Sequence, residues 1–466
     1  MGAKRTRLKE EESGGLLQPV GPDLISRLPD EVLGDIISLL STGEGARTQA
    51  ISRRWRPLWR AAPLNLEGGD YPRRKSKRAA WVTKILSEHA GPGRCFNLYG
   101  FCLHERYAMV DGWLRSGSLT GLQEIDFSGA DFSESRRPQP MPPSALRFAA
   151  TLRFAWFSSC DFPGDGDMPP ALDFPHLKKL LRNVTVSEDA LHILLSGCSV
   201  LEILLLNYSV GFSRLRIRSP SLRSIGFIAP AAESSVAITF QELVIEDAPC
   251  LERLLPLNPE QVPATIRVMQ APKLQTVGLL SPGISRLEFG KAAFQEMKAL
   301  SLTTSMRTVK ILALESLGPN LDSVVDFLKC FPCVEKLYLT KTMKNERAYN
   351  PLDPIECLEV HLKKVVVNNY RGLRPEVDFA KSFVLNAKVL KGMDFAALTS
   401  CNDKWMASQH RRLQLDKRAS PGARFLFERA YRGISIPSFH MVDPFQWVWQ
   451  DKLNSVWHKE LNREFD

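Results

Sequence analysis

Two cysteines stand at C-x-x-C spacing, Cys330-Phe-Pro-Cys333, an arrangement that serves zinc binding and dithiol exchange. Zinc takes four ligands in a tetrahedron, and no second cysteine pair or nearby histidine completes this one. The pair therefore reads as small core residues, with no metal or cofactor expected. Ser41-Thr-Gly43-Glu-Gly45 is glycine-rich but lacks the lysine of a phosphate-cradling loop. Asp161-Phe-Pro-Gly-Asp165-Gly-Asp167 has the acidic spacing of a calcium loop without a closing glutamate, so it reads as a turn. The eight histidines form no H-E-x-x-H pair, and neither G-x-S-x-G nor G-x-G-x-x-G occurs. Arg73, Arg74, Lys75, Lys77 and Arg78 make the best nucleic-acid candidate, but only Tyr71 and Trp81 lie nearby for stacking. A solvated loop or helix start is the simpler reading. No catalytic residue is expected.

The chemistry left is that of contact, and short helices must present it. Leu28-Pro29-Asp30-Glu31-Val32-Leu33 is followed by Ile36-Ile37-Ser-Leu39-Leu40. Proline suits a first helical position, and the acidic pair opposes the helix dipole. Val32, Leu33, Ile36, Ile37 and Leu40 recur as one helical stripe. Gly43 and Gly45 are expected to break it, a second helix to run from Ala50 to Trp55, and Pro57 to bend the chain before Leu58 and Trp59. So small a module has little core of its own, and a partner normally completes it.

These residues, with Arg47-Thr48, Ile51-Ser52-Arg53-Arg54-Trp55 and Leu58-Trp59, resemble the F-box. One departure is the turn before Arg47, here Thr-Gly-Glu-Gly-Ala. The resemblance implies docking on a Skp1-like adaptor and through it on a cullin. The contact residues it carries over are Leu28, Pro29, Val32, Leu33, Ile36, Ile37 and Leu40, then Ile51, Trp55, Leu58 and Trp59, some of which must also pack the module itself.

The rest of the chain supplies a larger frame. At 466 residues, 44% apolar and 24% charged, it has ample material for a core. The formal charge of +10 permits an acidic partner but is modest for this length. The first twenty residues are polar, with no apolar leader, so the nine scattered cysteines are expected to be reduced thiols and the location nucleus or cytoplasm. The longest apolar run, Val200 to Leu206, is broken by Glu202, so no membrane span is expected.

From about residue 170 a repeat is legible. Leu243-Val-Ile245-Glu-Asp-Ala248-Pro249-Cys-Leu251-Glu-Arg-Leu254 aligns without a gap on Ile266-Arg-Val268-Met-Gln-Ala271-Pro272-Lys-Leu274-Gln-Thr-Val277. Looser copies lie at Leu215–Ile225 and Pro332–Leu339, with shorter units at Leu177–Leu180 and Leu201–Leu206. The period falls in the leucine-rich range of about 20–29 residues, in which stacking neighbours bury a core that one unit lacks. The pattern resembles the irregular leucine-rich repeats that follow an F-box. Further on, Cys357–Gly372 reads as a strand and a glycine turn, and Glu376–Met393 as a helix burying Phe379, Phe383, Val384 and Leu390. Together with Arg418–Phe425 this text resembles the FBD domain of plant F-box proteins. Beyond it, Phe445, Val448, Trp449, Leu453, Val456, Trp457 and Leu461 fall on one helical face, expected to pack against the body, with a partner-binding helix as the alternative.

The expectation is an α/β chain: a flexible tail (1–20), an all-helical F-box (21–66), a repeat solenoid (67–355), an α/β FBD cap (356–430) and a helical extension (431–466). The resemblances imply a substrate receptor of a Skp1–cullin–F-box ubiquitin ligase. The alternatives are an adaptor-bound scaffold outside the ligase, or a basic nucleic-acid-associated repeat protein. An unknown protein target would be chosen by exposed positions on the concave strands, near Leu204, Arg216, Val244, Arg267 and Arg286.

Overall fold

In the computed structural model, Pro29 closes an extended entry and Asp30 begins the first helix, α1 (Asp30–Leu39). The structure describes residues 24–67, 75–98, 103–127, 139–164, 172–230, 238–315, 321–340, 355–399 and 401–429. The 1–20 tail, Arg73, Arg74, Asp165, Asp167 and the 431–466 extension lie outside them.

The second helix falls elsewhere than expected. It is α2 (Thr42–Thr48), across the two glycines, and residues 49–54 form turns before α3 (Trp55–Ala61). Two local causes explain this. The Ser41 hydroxyl accepts a hydrogen bond from the Glu44 amide at 3.3 Å and caps α2. Gly45 lies under Trp59, where a Cβ would sit 2.8 Å from the indole Cζ3. Pro57 lies in the first turn of α3, where its missing N–H is not needed.

A sheet of fifteen strands runs from Leu64–Leu66 to Arg424–Arg429, and every pairing in it is parallel. Its middle strands include Ile203–Asn207, Ser224–Ile228, Arg253–Pro256 and Thr276–Leu280. A second, six-stranded sheet packs over these and begins Arg214–Arg218, Glu242–Asp247, Thr265–Val268 and Arg286–Phe289. Each central repeat thus gives one strand to each sheet. Alternation explains the packing: Leu215 and Ile217, Leu243 and Ile245, Ile266 and Val268 all point into the core.

Before and after this stretch, helices replace the second sheet. They include Lys75–Glu88, Leu103–Leu114 and Glu188–Ser196 on one side, and Leu321–Cys330, Arg374–Asn386 and Asp403–Leu413 on the other. Phe294 stacks on Phe327 at 4.3 Å where the second sheet gives way to helix. One continuous apolar core links Leu33 of α1 to Phe427 of the last strand. The C-terminal part continues the same long sheet: Lys364–Tyr370, Gly392–Ala397 and Arg424–Arg429 pair in order. The expected strand at residue 357 begins instead as a π-turn, Cys357–His361, and the helix ends at Asn386. Phe379, Phe383, Val384 and Leu390 are buried as expected.

Candidate docking face and repeat surfaces

The apolar stripe of α1 divides along its length. Leu33 and Ile37 are fully buried against Trp55 and Trp59. Val32 (40% exposed), Ile36 (38%) and Leu39 (75%) face outward at helical spacing. Ile51, Leu24 and Ile25 are more than half exposed, Leu28, Leu40 and Leu58 are half-buried, and Pro29 is exposed. Four of the expected contact residues, Leu33, Ile37, Trp55 and Trp59, are therefore corrected to core positions. Leu39, Leu24 and Ile25 join the exposed set. Leu39 lies three residues past Ile36, which its helical spacing alone shows.

Several contacts hold this face rigid. The Arg54 guanidinium donates to Asp30 Oδ1 and to the Leu28 carbonyl, both at 2.6 Å, and locks the start of α1 to α3. At the other end, Asn65 Nδ2 donates to the carbonyls of Ser38 (2.7 Å) and Leu40 (2.8 Å). Arg94 also donates to Ser38, at 2.8 Å. The helix end is thereby anchored to the first two strands of the long sheet. Replacing Asn65 with alanine leaves the Leu40 carbonyl without this donor. A loss of about 1–3 kcal/mol is expected, read from the urea midpoint; an unchanged midpoint would refute the anchor.

The five candidate target-contact residues do not share a face. Arg216, Val244, Arg267 and Arg286 lie on the outer side of the six-stranded sheet, where Val244 is flanked in register by Arg216 and Arg267. Leu204 lies on the long sheet and points into the core, fully buried. The expectation of one set of concave strands is corrected: the repeat holds two strands, and the residues came from both. Leu204 and Arg216 do meet at a cleft of about 240 Å³ beside the helix Glu188–Ser196, lined also by His192, Leu195 and Glu246. The arginines are paired. Arg214 bonds Glu242, Arg218 bonds Glu246 (2.5 Å), Arg286 bonds Glu288 (2.5 Å), and Arg267 lies 3.5 Å from both Glu242 and Glu288. This face is a mixed-charge lattice, so the acidic partner that the +10 charge permits finds no block of unpaired arginines among these residues. The long sheet carries a separate apolar row on its other side: Trp156, Leu205, Leu255, Leu279, Ala313, Tyr338 and Val366.

Residues 110–339 match the family model described as FBD-associated F-box protein At5g56370, LRR repeats, and residues 350–395 match the FBD model. The chain is 26% identical over 436 residues to the F-box/FBD/LRR-repeat protein At2g26030 of Arabidopsis thaliana, covering 81% of this chain and 94% of that protein. It is 25% identical over 415 residues to the putative FBD-associated F-box protein At3g50710 of the same plant, covering 80% and 92%. These matches identify leucine-rich repeats and an FBD domain in the chain and support a plant F-box, leucine-rich-repeat and FBD protein.

The F-box meets the solenoid at His89. Its ring lies 5.0 Å from Trp59, and its Nε2 is 2.8 Å from the Ala62 carbonyl oxygen. Burial lowers its pKa, against a smaller opposing effect of that hydrogen bond. The unfolded chain, with an ordinary histidine near about 6.5, takes up the proton more readily. Stability from this site is therefore present at neutral pH and lost as pH falls through that value. Between about pH 7.5 and about 5.5, the thermal midpoint of His89→Phe is expected to fall less steeply than that of wild type; equal slopes would contradict the assignment.

In the FBD, the Tyr370 hydroxyl donates to Gln409 Oε1 at 2.9 Å beneath Gly372, where a Cβ would meet that amide at 2.7 Å. The buried Glu376 carboxylate accepts from the amides of Arg371 (2.8 Å) and Leu373 (3.2 Å). These are the bonds of a packed end unit and offer no reactive group.

Proposed function

We propose that this protein is the substrate-recognition subunit of a Skp1–cullin–F-box ubiquitin ligase. The observation that carries the reading is the outward apolar row Val32, Ile36 and Leu39 on a helix whose opposite side is fixed in the core. An exposed apolar row on a rigid support suits a partner helix or groove. The F-box resemblance supplies the partner class, a Skp1-like adaptor.

The mechanism is positional. Ubiquitin transfer takes place on other subunits, and this chain holds a target beside them. Tethering raises the effective concentration of the target's lysines and needs no catalytic side chain here. Target choice falls to the repeat body.

The test is co-expression with a Skp1-like adaptor and a cullin. Recovery of both with the wild-type chain, and of neither with Leu28→Ala plus Pro29→Ala, supports the receptor reading. Recovery of the adaptor without the cullin favours a scaffold outside the ligase. Equal adaptor recovery by the double variant contradicts the assigned docking face.

A further inference from the structure

We propose that Cys333, Glu356 and His361 form a Zn²⁺ site that staples the last leucine-rich repeat to the start of the FBD. This departs from the sequence expectation of no metal. It does not revive the C-x-x-C reading, because Cys330 is fully buried on the helix Leu321–Cys330. Cys333 takes ligands from further along the chain instead.

Backbone register brings the three residues together. Lys336 and Lys364 are directly paired on neighbouring parallel strands. Cys333 and His361 each precede their member of that pair by three residues, so they occupy matching places in adjacent units. The π-turn Cys357–His361 does the rest. Its Leu362 amide bonds back to the Cys357 carbonyl at 2.8 Å, an i→i+5 turn that stacks residues five apart. Glu356 and His361 are such a pair, with carboxylate Oε1 and imidazole Nε2 3.6 Å apart. All three donor atoms lie within 4.8 Å of one another.

The donor set fits zinc. Thiolate, imidazole and carboxylate together suit a borderline cation, with bonds of about 2.0–2.3 Å and donors therefore about 3.3–3.7 Å apart. Side-chain rotation of about an ångström closes the present spacing, and water takes the fourth position. The other nearby thiols are poor competitors, because Cys330 and Cys357 are both fully buried. Cys333 is 6% exposed, at the edge of the core.

One group opposes the metal. Arg307 donates two bonds to Glu356, at 2.5 and 3.1 Å. It occupies the carboxylate oxygens. The Arg307 side chain is 57% exposed and is free to swing into solvent when a cation enters. Removing it should therefore strengthen binding, an effect that no loss of folding imitates.

Cobalt(II) is the probe, titrated into the purified full chain and followed by absorbance. Wild type should show a thiolate-to-cobalt charge-transfer band with visible bands of tetrahedral cobalt, saturating at one equivalent and displaced by zinc. Cys333→Ser should lose the charge-transfer band while keeping the metal-free thermal midpoint. His361→Ala should weaken binding beyond the about 10–100-fold that loss of an outer-shell partner costs. Arg307→Gln should bind more tightly than wild type. Zinc should raise the thermal midpoint of wild type and Arg307→Gln but not of Cys333→Ser. A band that persists in Cys333→Ser, no band in the folded wild type, or weaker binding in Arg307→Gln would each overturn the site.

Discussion

Replacing Trp59 with alanine is expected to cost about 3–5 kcal/mol, the range for deleting a buried tryptophan. Trp59 packs over Gly45 of α2 and beside His89 at the solenoid entrance, and shares one core with Leu33, Ile37 and Leu64. Its removal leaves a cavity between the F-box and the first strands. Neighbouring units of a solenoid stabilise one another locally, so the loss should concentrate at this end. Urea unfolding followed by intrinsic fluorescence should show an early transition for the N-terminal module while the repeats unfold near the wild-type midpoint. Leu39→Ala, at a mostly exposed position, should stay within about 0.5 kcal/mol of wild type. Equal effects of the two substitutions would mean that the division of the module into buried and exposed halves is wrong.

That division marks how far the sequence can be read. The helical period of Val32, Leu33, Ile36 and Ile37 is plain, but adjacent residues differ by about 100° around a helix. A stripe of paired positions is therefore wide enough to face two ways at once. Burial alone separates Leu33 and Ile37, which pack, from Val32 and Ile36, which do not. The glycines at 43 and 45 misled for a related reason. Their low helix propensity argued for a break, whereas the cap at Ser41 and the approach of Trp59 favour a helix.

The repeat was legible as a period and illegible as a surface. Leu243-Val-Ile245 and Leu254 show the same apolar alternation, so nothing local assigns the first to the second sheet and the last to the long one. The set Leu204, Arg216, Val244, Arg267 and Arg286 mixed the two for that reason. Cys333, Glu356 and His361 escaped notice because strand register, which no local motif encodes, decides their meeting.

The second large effect concerns binding. Ile36→Glu with Leu39→Glu places two carboxylates on the outward row of α1 without touching the buried side. Hot-spot side chains in an interface are each worth about 2 kcal/mol or more, and burying an unpaired charge adds to the loss. A decrease in adaptor affinity of at least about 1,000-fold is expected, since every 1.4 kcal/mol is about a tenfold change. Stability should barely move, because both positions are partly or largely exposed. Alanine at Leu33 should do the reverse, lowering stability by about 2–5 kcal/mol while folded molecules still present the outward row.

The dissociation constant of the purified chain for a Skp1-like adaptor, measured by calorimetry on wild type and on Ile36→Glu/Leu39→Glu with thermal midpoints taken on the same samples, tests the docking face most directly. The account predicts specific wild-type binding, its loss in the double variant, and matching midpoints. Undiminished binding by a double variant that melts with wild type would contradict it.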